Sequence, residues 1–225
     1  MENIKLKNVG METPEFFPKE TYESVHSRMV SKKGKKAWYQ FAWSWNAVVY
    51  RFESCNEYNR AFTNSVQRYG NAPEQPEKYR QEKYLFNFFI TGLSILESLL
   101  YGLYMISHFI KPNSFPVSEN DFRGITPEKV KDKFKCHFEK EKLTEILIDL
   151  VEGEEFEEWK NIRNILAHRG AQGRSYHVGG KHHGQALWIK GIQIDPETTS
   201  TKYKWLKKQV KIVLEEMDNF SSNKL

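Results

Sequence analysis

An arginine and a histidine stand five positions apart in the run Ile162-Arg163-Asn164-Ile165-Leu166-Ala167-His168-Arg169. These two side-chain types suffice for cutting RNA without a metal. An imidazole titrates near neutral pH and can take the proton of a ribose 2′-hydroxyl, while a guanidinium keeps its charge and can stabilise the phosphate as negative charge builds on it. Asn164 adds an amide that can orient or contact the phosphate. A plainer reading uses the same residues. His168 and Arg169 in a last helical turn oppose the negative end of the helix dipole, and Gly170 stands where a helix commonly stops.

The elements that must position these groups follow from spacing. At roughly 100° per residue, Asn164 and His168 share one helix face, whereas Arg163 points roughly 140° away from His168. A single helix therefore closes the site poorly, and a two-fold partner would bring a second Arg/His pair to it. The polar stripe Glu157, Asn161, Asn164 and His168 lies opposite the apolar residues Trp159, Ile162 and Leu166, which should be buried.

The run resembles the signature of the HEPN superfamily, in which an arginine, a polar residue, a three-residue spacer and a histidine close a late helix of an all-α bundle. Asn164 is the polar residue that pattern expects. The segment Ser94-Ile95-Leu96-Glu97-Ser98-Leu99-Leu100 is similar to the family's earlier helix, where a glutamate sits among small and aliphatic residues. The motif covers a few positions, and the order of elements resembles the family over residues 35 to 220. The resemblance implies a homodimeric, metal-free endoribonuclease that leaves a cyclic phosphate, with Arg163, Asn164 and His168 catalytic and no cofactor. It also implies a toxin–antitoxin or antiviral setting with an antitoxin or regulatory partner. Some members bind RNA, nucleotide or protein without cleaving, and that is the alternative. One toxin group carries a modifiable tyrosine two residues after the histidine, where this chain has Gly170, so the resemblance does not extend to that regulation.

The 225 residues hold 34 Lys and Arg against 29 Asp and Glu, a formal charge of +5, which is compatible with a polyanionic partner. Charge is segregated: Glu152 to Glu158 is acidic, Lys32 to Lys36 and Lys202 to Lys211 are basic. Two cysteines, Cys55 and Cys136, support neither a disulfide framework nor a thiolate zinc site and suit a reducing cytosol. The first residues lack the apolar core of a secretory signal. Residues 85 to 110 are apolar enough to raise a membrane span, but Asn87, Thr91, Ser94, Ser98, Tyr101 and His108 recur at helical spacing with Glu97 beside them, which favours a buried bundle helix. A cytoplasmic protein with no membrane partner is expected.

Along the chain, residues 1 to 30, with Pro14 and Pro18, read as a loosely attached extension, and residues 31 to 225 as one helical domain. A helix is predicted over about 35–69, with Trp38, Phe41, Trp45, Val48, Val49, Phe52 and Cys55 at three- and four-residue steps, and another over about 77–110. Thr126-Pro127-Glu128 signals a capped helix start, and one or two helices fill the span to Val151. The motif helix follows Gly153, its early glutamates suiting the positive dipole end. A Gly- and His-rich loop over 170–185 and a small hairpin, Ala186–Ile189 with Ile192–Ile194, precede a last helix over about 201–220. The core should hold Trp38, Trp45, Phe52, Leu96, Leu103, Trp159, Ile162 and Leu166.

Further candidates carry a functional and a structural reading each. Glu97 on an apolar helix needs a partner, either Arg163, which it would support, or another cation. Arg169 and Arg174 in the loop, with Lys204, Lys207, Lys208 and Lys211 in one stripe, are candidate RNA contacts or a solvated surface. Trp205 and Ile212 lie beyond that stripe, where another chain could cover them. His177, His182 and His183 lack a companion cysteine or carboxylate, which favours a basic loop over a metal site. Ser94, Ser98 and Gly102 at four-residue intervals allow close helix approach. No Gly-rich phosphate loop, Ser/His/Asp arrangement or carboxylate pair is present.

Overall fold

Long apolar stripes at helical period give long helices, and the fold is an all-α helical bundle. In a computed structural model, the described residues are 3–7, 9–118, 122, 124–168, 174–180, 184–188 and 192–225, with only the backbone of Asn3, Ile4 and His168. Seven helices lie among them: α1 (Lys19–Val30), α2 (Lys36–Tyr69), α3 (Gln75–Ile110), α4 (Pro127–His137), α5 (Lys142–Val151), α6 (Glu154–His168) and α7 (Pro196–Lys224). Two small antiparallel ribbons join them, β1 (Asn3–Lys5) with β2 (Glu12–Pro14) and β3 (Ser175–Tyr176) with β4 (Ala186–Leu187). The chain divides into one unit of Met1–Arg51, Ser94–Glu157 and Lys207–Leu225, and a second of Phe52–Leu93 and Glu158–Leu206.

In the first unit the aromatic residues are locked by their polar edges. Tyr22 stacks on Trp45 with ring centroids 5.0 Å apart and donates its hydroxyl to Trp45 O, while Trp45 Nε1 donates to Tyr22 O. Gly102 gives Trp45 room, since a Cβ there would lie 3.2 Å from its ring. The N-terminal segment is accordingly more firmly built than an extension with two prolines suggests. Leu6, Phe17, Tyr22, Val25 and Met29 are buried, and Arg28 Nη1 meets Asp218 Oδ1 at 2.6 Å. Three buried apolar residues in twelve suffice for α1 because its neighbours cover them. Thr126 caps α4 as predicted, its hydroxyl accepting from Lys129 N, and two helices fill the span to Val151. Phe115, Phe134, Phe138 and Phe220 cluster behind them.

The second unit is built around Trp159, which lies 5.2 Å from Phe88 and 5.1 Å from Phe89. Trp159, Ile162 and Leu166 are buried as their spacing predicts, as are Trp45, Phe52, Leu96 and Leu103 in their own units, while Trp38 is only half-buried. The hairpin between 186 and 194 is present in its bonds, Trp188 N to Ile192 O and Ile194 N to Ala186 O, with residues 189–191 outside the described set. β3 adds a strand to it. Helix α7 starts five residues before the predicted point because Asp195 accepts from Thr198 N and Oγ1 and Pro196 takes the first helical position. Helix α3 has the length and composition to cross a membrane, and 72% of its apolar window is buried.

Candidate functional site

The motif occupies the last turns of α6, and its placement rests on the helix's opposite side. Trp159 fits against Gly92 of α3 so closely that a Cβ at Gly92 would lie 2.4 and 2.5 Å from two Trp159 ring carbons. Only glycine permits that approach. Lys202 of α7, almost fully buried, donates to Glu158 Oε2 at 2.8 Å and ties the same end of α6 within the unit. With Trp159, Ile162 and Leu166 turned inward, Arg163 and Asn164 are left half-buried and Asn161 exposed. His168 closes the helix, and its side chain lies outside the described residues, as do Arg169, Lys181, His182 and His183. The helix register alone gives the divergence of Arg163 from His168, roughly 140°.

Glu97 belongs to the first unit, where its charge acts on Arg51. Burial lowers the Arg51 pKa and Glu97 opposes that shift. Arg51 Nη1 donates to Ser94 O at 3.0 Å and to Ser98 Oγ, so two of the small residues on α3 receive a guanidinium. Sequence reasoning missed Arg51, although a cation set between Val49 and Phe52 on an apolar stripe was the signal. Arg163 belongs to the second unit.

Arg174 requires a correction. Read from the sequence as a surface RNA contact, its side chain is only 3% exposed, with Nε donating to Glu82 Oε1 at 2.6 Å and Nη2 to Gln81 Oε1. A buried guanidinium needs such partners, and they come from α3. Lys204, Lys208 and Lys211 are exposed, each in its own unit, and Lys211 stands 3.8 Å from Glu215. Lys207 is half-buried with its amine 4.1 Å from the Phe16 ring centroid, so it is partly committed to the fold. Trp205 and Ile212 are half-buried.

Two buried groups of the second unit, Cys55 and Tyr203, are unsuited to chemistry. Burial pushes the Cys55 thiol well above its usual range, so it is no thiolate at neutral pH, and the Tyr203 hydroxyl is pushed up by the same cause. Among the described residues, no group of three or more His, Cys, Asp or Glu side chains is placed to hold a metal. Comparison with protein-family models, curated proteins and solved structures finds no match.

Proposed function

We propose that the chain is a metal-independent endoribonuclease of the HEPN type, working in the cytoplasm as a homodimer. The observation that carries this reading is the burial pattern of α6. Its apolar stripe is fixed by Trp159 against Gly92, leaving the Arg163-Asn164 flank half-exposed on a helix that ends at His168. In the proposed reaction His168 takes the proton of a ribose 2′-hydroxyl, and the 2′-oxygen attacks the neighbouring phosphorus. The bond to the 5′-oxygen breaks, a proton is returned to that oxygen, and the products are a 2′,3′-cyclic phosphate and a 5′-hydroxyl. Arg163 stabilises the charge on the phosphoryl oxygens, and Asn164 orients the group. The divergence of Arg163 from His168 is the reason for a dimer, in which each chain completes the other's site. A toxin–antitoxin or antiviral setting, with an antitoxin or regulatory partner, is the biological part of the proposal.

The test is incubation of the purified chain with assorted RNAs in excess chelator. Cleavage is expected to persist, and His168→Ala and Arg163→Ala should each lower it by at least about 10²-fold while the fold is kept. Cutting that stops on metal removal, or that survives loss of His168, overturns this mechanism. RNA bound tightly but never cut assigns the chain to the non-catalytic binding alternative.

A further inference from the structure

The part of α2 that belongs to the first unit leaves three large side chains in solvent, and all of them are aromatic: Tyr39 is 45% exposed, Trp43 65% and Tyr50 55%. Burying a ring is among the largest gains open to a fold, so a helix face that keeps three of them out calls for an occupant. At roughly 100° per residue the three fall within about 40° of one another. The buried Phe41, Trp45 and Val48 lie on the opposite side of the helix, and the stripe faces outward because that side is pinned. Trp45 is locked to Tyr22 by two hydrogen bonds, and Gln40 Oε1 accepts from the Tyr101 hydroxyl at 2.8 Å. The Tyr39 ring meets Trp38 edge-on at 5.2 Å, which fixes its plane.

The same stretch is cationic. From Ser24 to Phe52 the chain holds no Asp or Glu, while Lys32, Lys33, Lys35 and Lys36 stand just ahead of the stripe. Lys33, Lys35 and Lys36 are exposed, and the amines of the last two sit 5.8 and 5.2 Å from the centroids of the Phe109 and Phe122 rings, which sets them at the start of α2. Cations beside aromatic rings complement an anion that carries flat rings of its own, and a nucleic acid is that partner. The stretch from residue 31 to 51 exposes no Leu, Ile, Val or Met, the side chains with which a helix enters acyl chains or a partner's groove. Along the axis Tyr39 and Trp43 are about 6 Å apart, and Trp43 and Tyr50 about 10 Å. Both steps exceed the roughly 3.4 Å between stacked bases, so only a strand whose bases have come apart reaches more than one ring.

We infer that the Tyr39, Trp43 and Tyr50 face of α2 docks single-stranded RNA, with bases laid on the rings and phosphates on Lys33, Lys35 and Lys36. It rests on the proposed function for the choice of a ribose polymer, whereas the fit to an unpaired, base-bearing polyanion comes from the face itself. Arg163 belongs to the other unit, so this face holds the strand and takes no part in the chemistry.

The test uses the full-length chain carrying His168→Ala, so that RNA stays whole, and reads the fluorescence anisotropy of a short labelled oligouridylate. Trp43→Ala and Tyr50→Ala, both at exposed positions, should each weaken binding at least about fivefold, and Trp43→Phe should keep most of the affinity. Lys33→Gln combined with Lys35→Gln should lower the slope of log affinity against log salt by about one. The same strand annealed to oligoadenylate should bind at least about tenfold more weakly. Unchanged affinity in Trp43→Ala and Tyr50→Ala, equal affinity for duplex and single strand, or no binding by the parent overturns the inference. Two other results overturn it by giving the face a different occupant while RNA affinity stays the same: phosphatidylserine vesicles that capture the parent and not Trp43→Ala, or a dimer in sedimentation that Trp43→Ala turns into monomer. Cleavage by the otherwise native chain is measured separately. A chain that cuts RNA and binds it equally well with Trp43→Ala keeps the nuclease and loses the face, and a chain that never cuts but binds single strands through Trp43 does the reverse.

Discussion

Arg163 and Arg174 stand eleven residues apart in the same unit, yet the fold treats them differently. Arg163 sits half-buried on the flank of a helix whose other side is pinned, and Arg174 is sunk into the turn region with Glu82 and Gln81 on two of its nitrogens. The first position is set by apolar packing, the second by a buried ion pair. The sequence reads Arg163 as a catalytic group on a helix and Arg174 as an RNA contact or solvated surface, and the partners Glu82 and Gln81 take the second out of the surface. An arginine fixed by packing on the far side of its helix can be removed without collapse, whereas one that neutralises a buried carboxylate cannot.

The contrast breaks most severely if the packing side is removed. Trp159→Ala should cost about 3–5 kcal/mol, because a nearly fully buried indole between Phe88 and Phe89 leaves a large cavity. Denaturant unfolding measures this, and a loss under about 1 kcal/mol would mean that α6 is not held where described. Next in size is the pair of arginine variants. Arg174→Ala should lower stability by about 3 kcal/mol and Arg163→Ala by about 1 kcal/mol or less, both read from the same unfolding curves. Equal losses would erase the distinction.

Smaller is Asp195→Ala, at about 1 kcal/mol, through the lost cap of α7. Burial alone would raise the Asp195 pKa, but hydrogen bonds from Thr198 and Gln193 outweigh it and hold the carboxyl below its ordinary value. The folded pKa thus lies below the unfolded one of about 3.9, so the contribution is complete above about pH 5 and is lost as pH falls through the folded value. The melting temperatures of parent and variant should differ most above that pH and draw together in acid. Least of all, Lys211→Ala should change stability by only about 0.3 kcal/mol, since its partner Glu215 is one turn away and both are exposed.

The long helices were legible because each buries a stripe repeated over many turns, and Trp159, Ile162 and Leu166 announced the inner side of α6 by spacing alone. The start of α7 stands in the sequence as Asp195-Pro196, a cap followed by proline, five residues ahead of the apolar stripe that sets the predicted start. The burial of α1 depends on Trp45 and Asp218, and that of Arg174 on Gln81 and Glu82 some ninety residues away. No local pattern carries such partnerships. At the candidate site the sequence supplied Arg163, Asn164 and His168, and in the first unit it does not single out Arg51, whose place is explained by Ser94, Ser98 and the charge of Glu97.

The most direct measurement of the central claim uses one RNA that the chain cuts and a copy with a single 2′-deoxy sugar at the cut position, both in excess chelator. If the 2′-hydroxyl is the nucleophile and His168 moves its proton, the all-ribose strand yields a 2′,3′-cyclic phosphate end and the substituted strand stays whole at that position. Cleavage of the deoxy-substituted strand at the same position and rate contradicts the account.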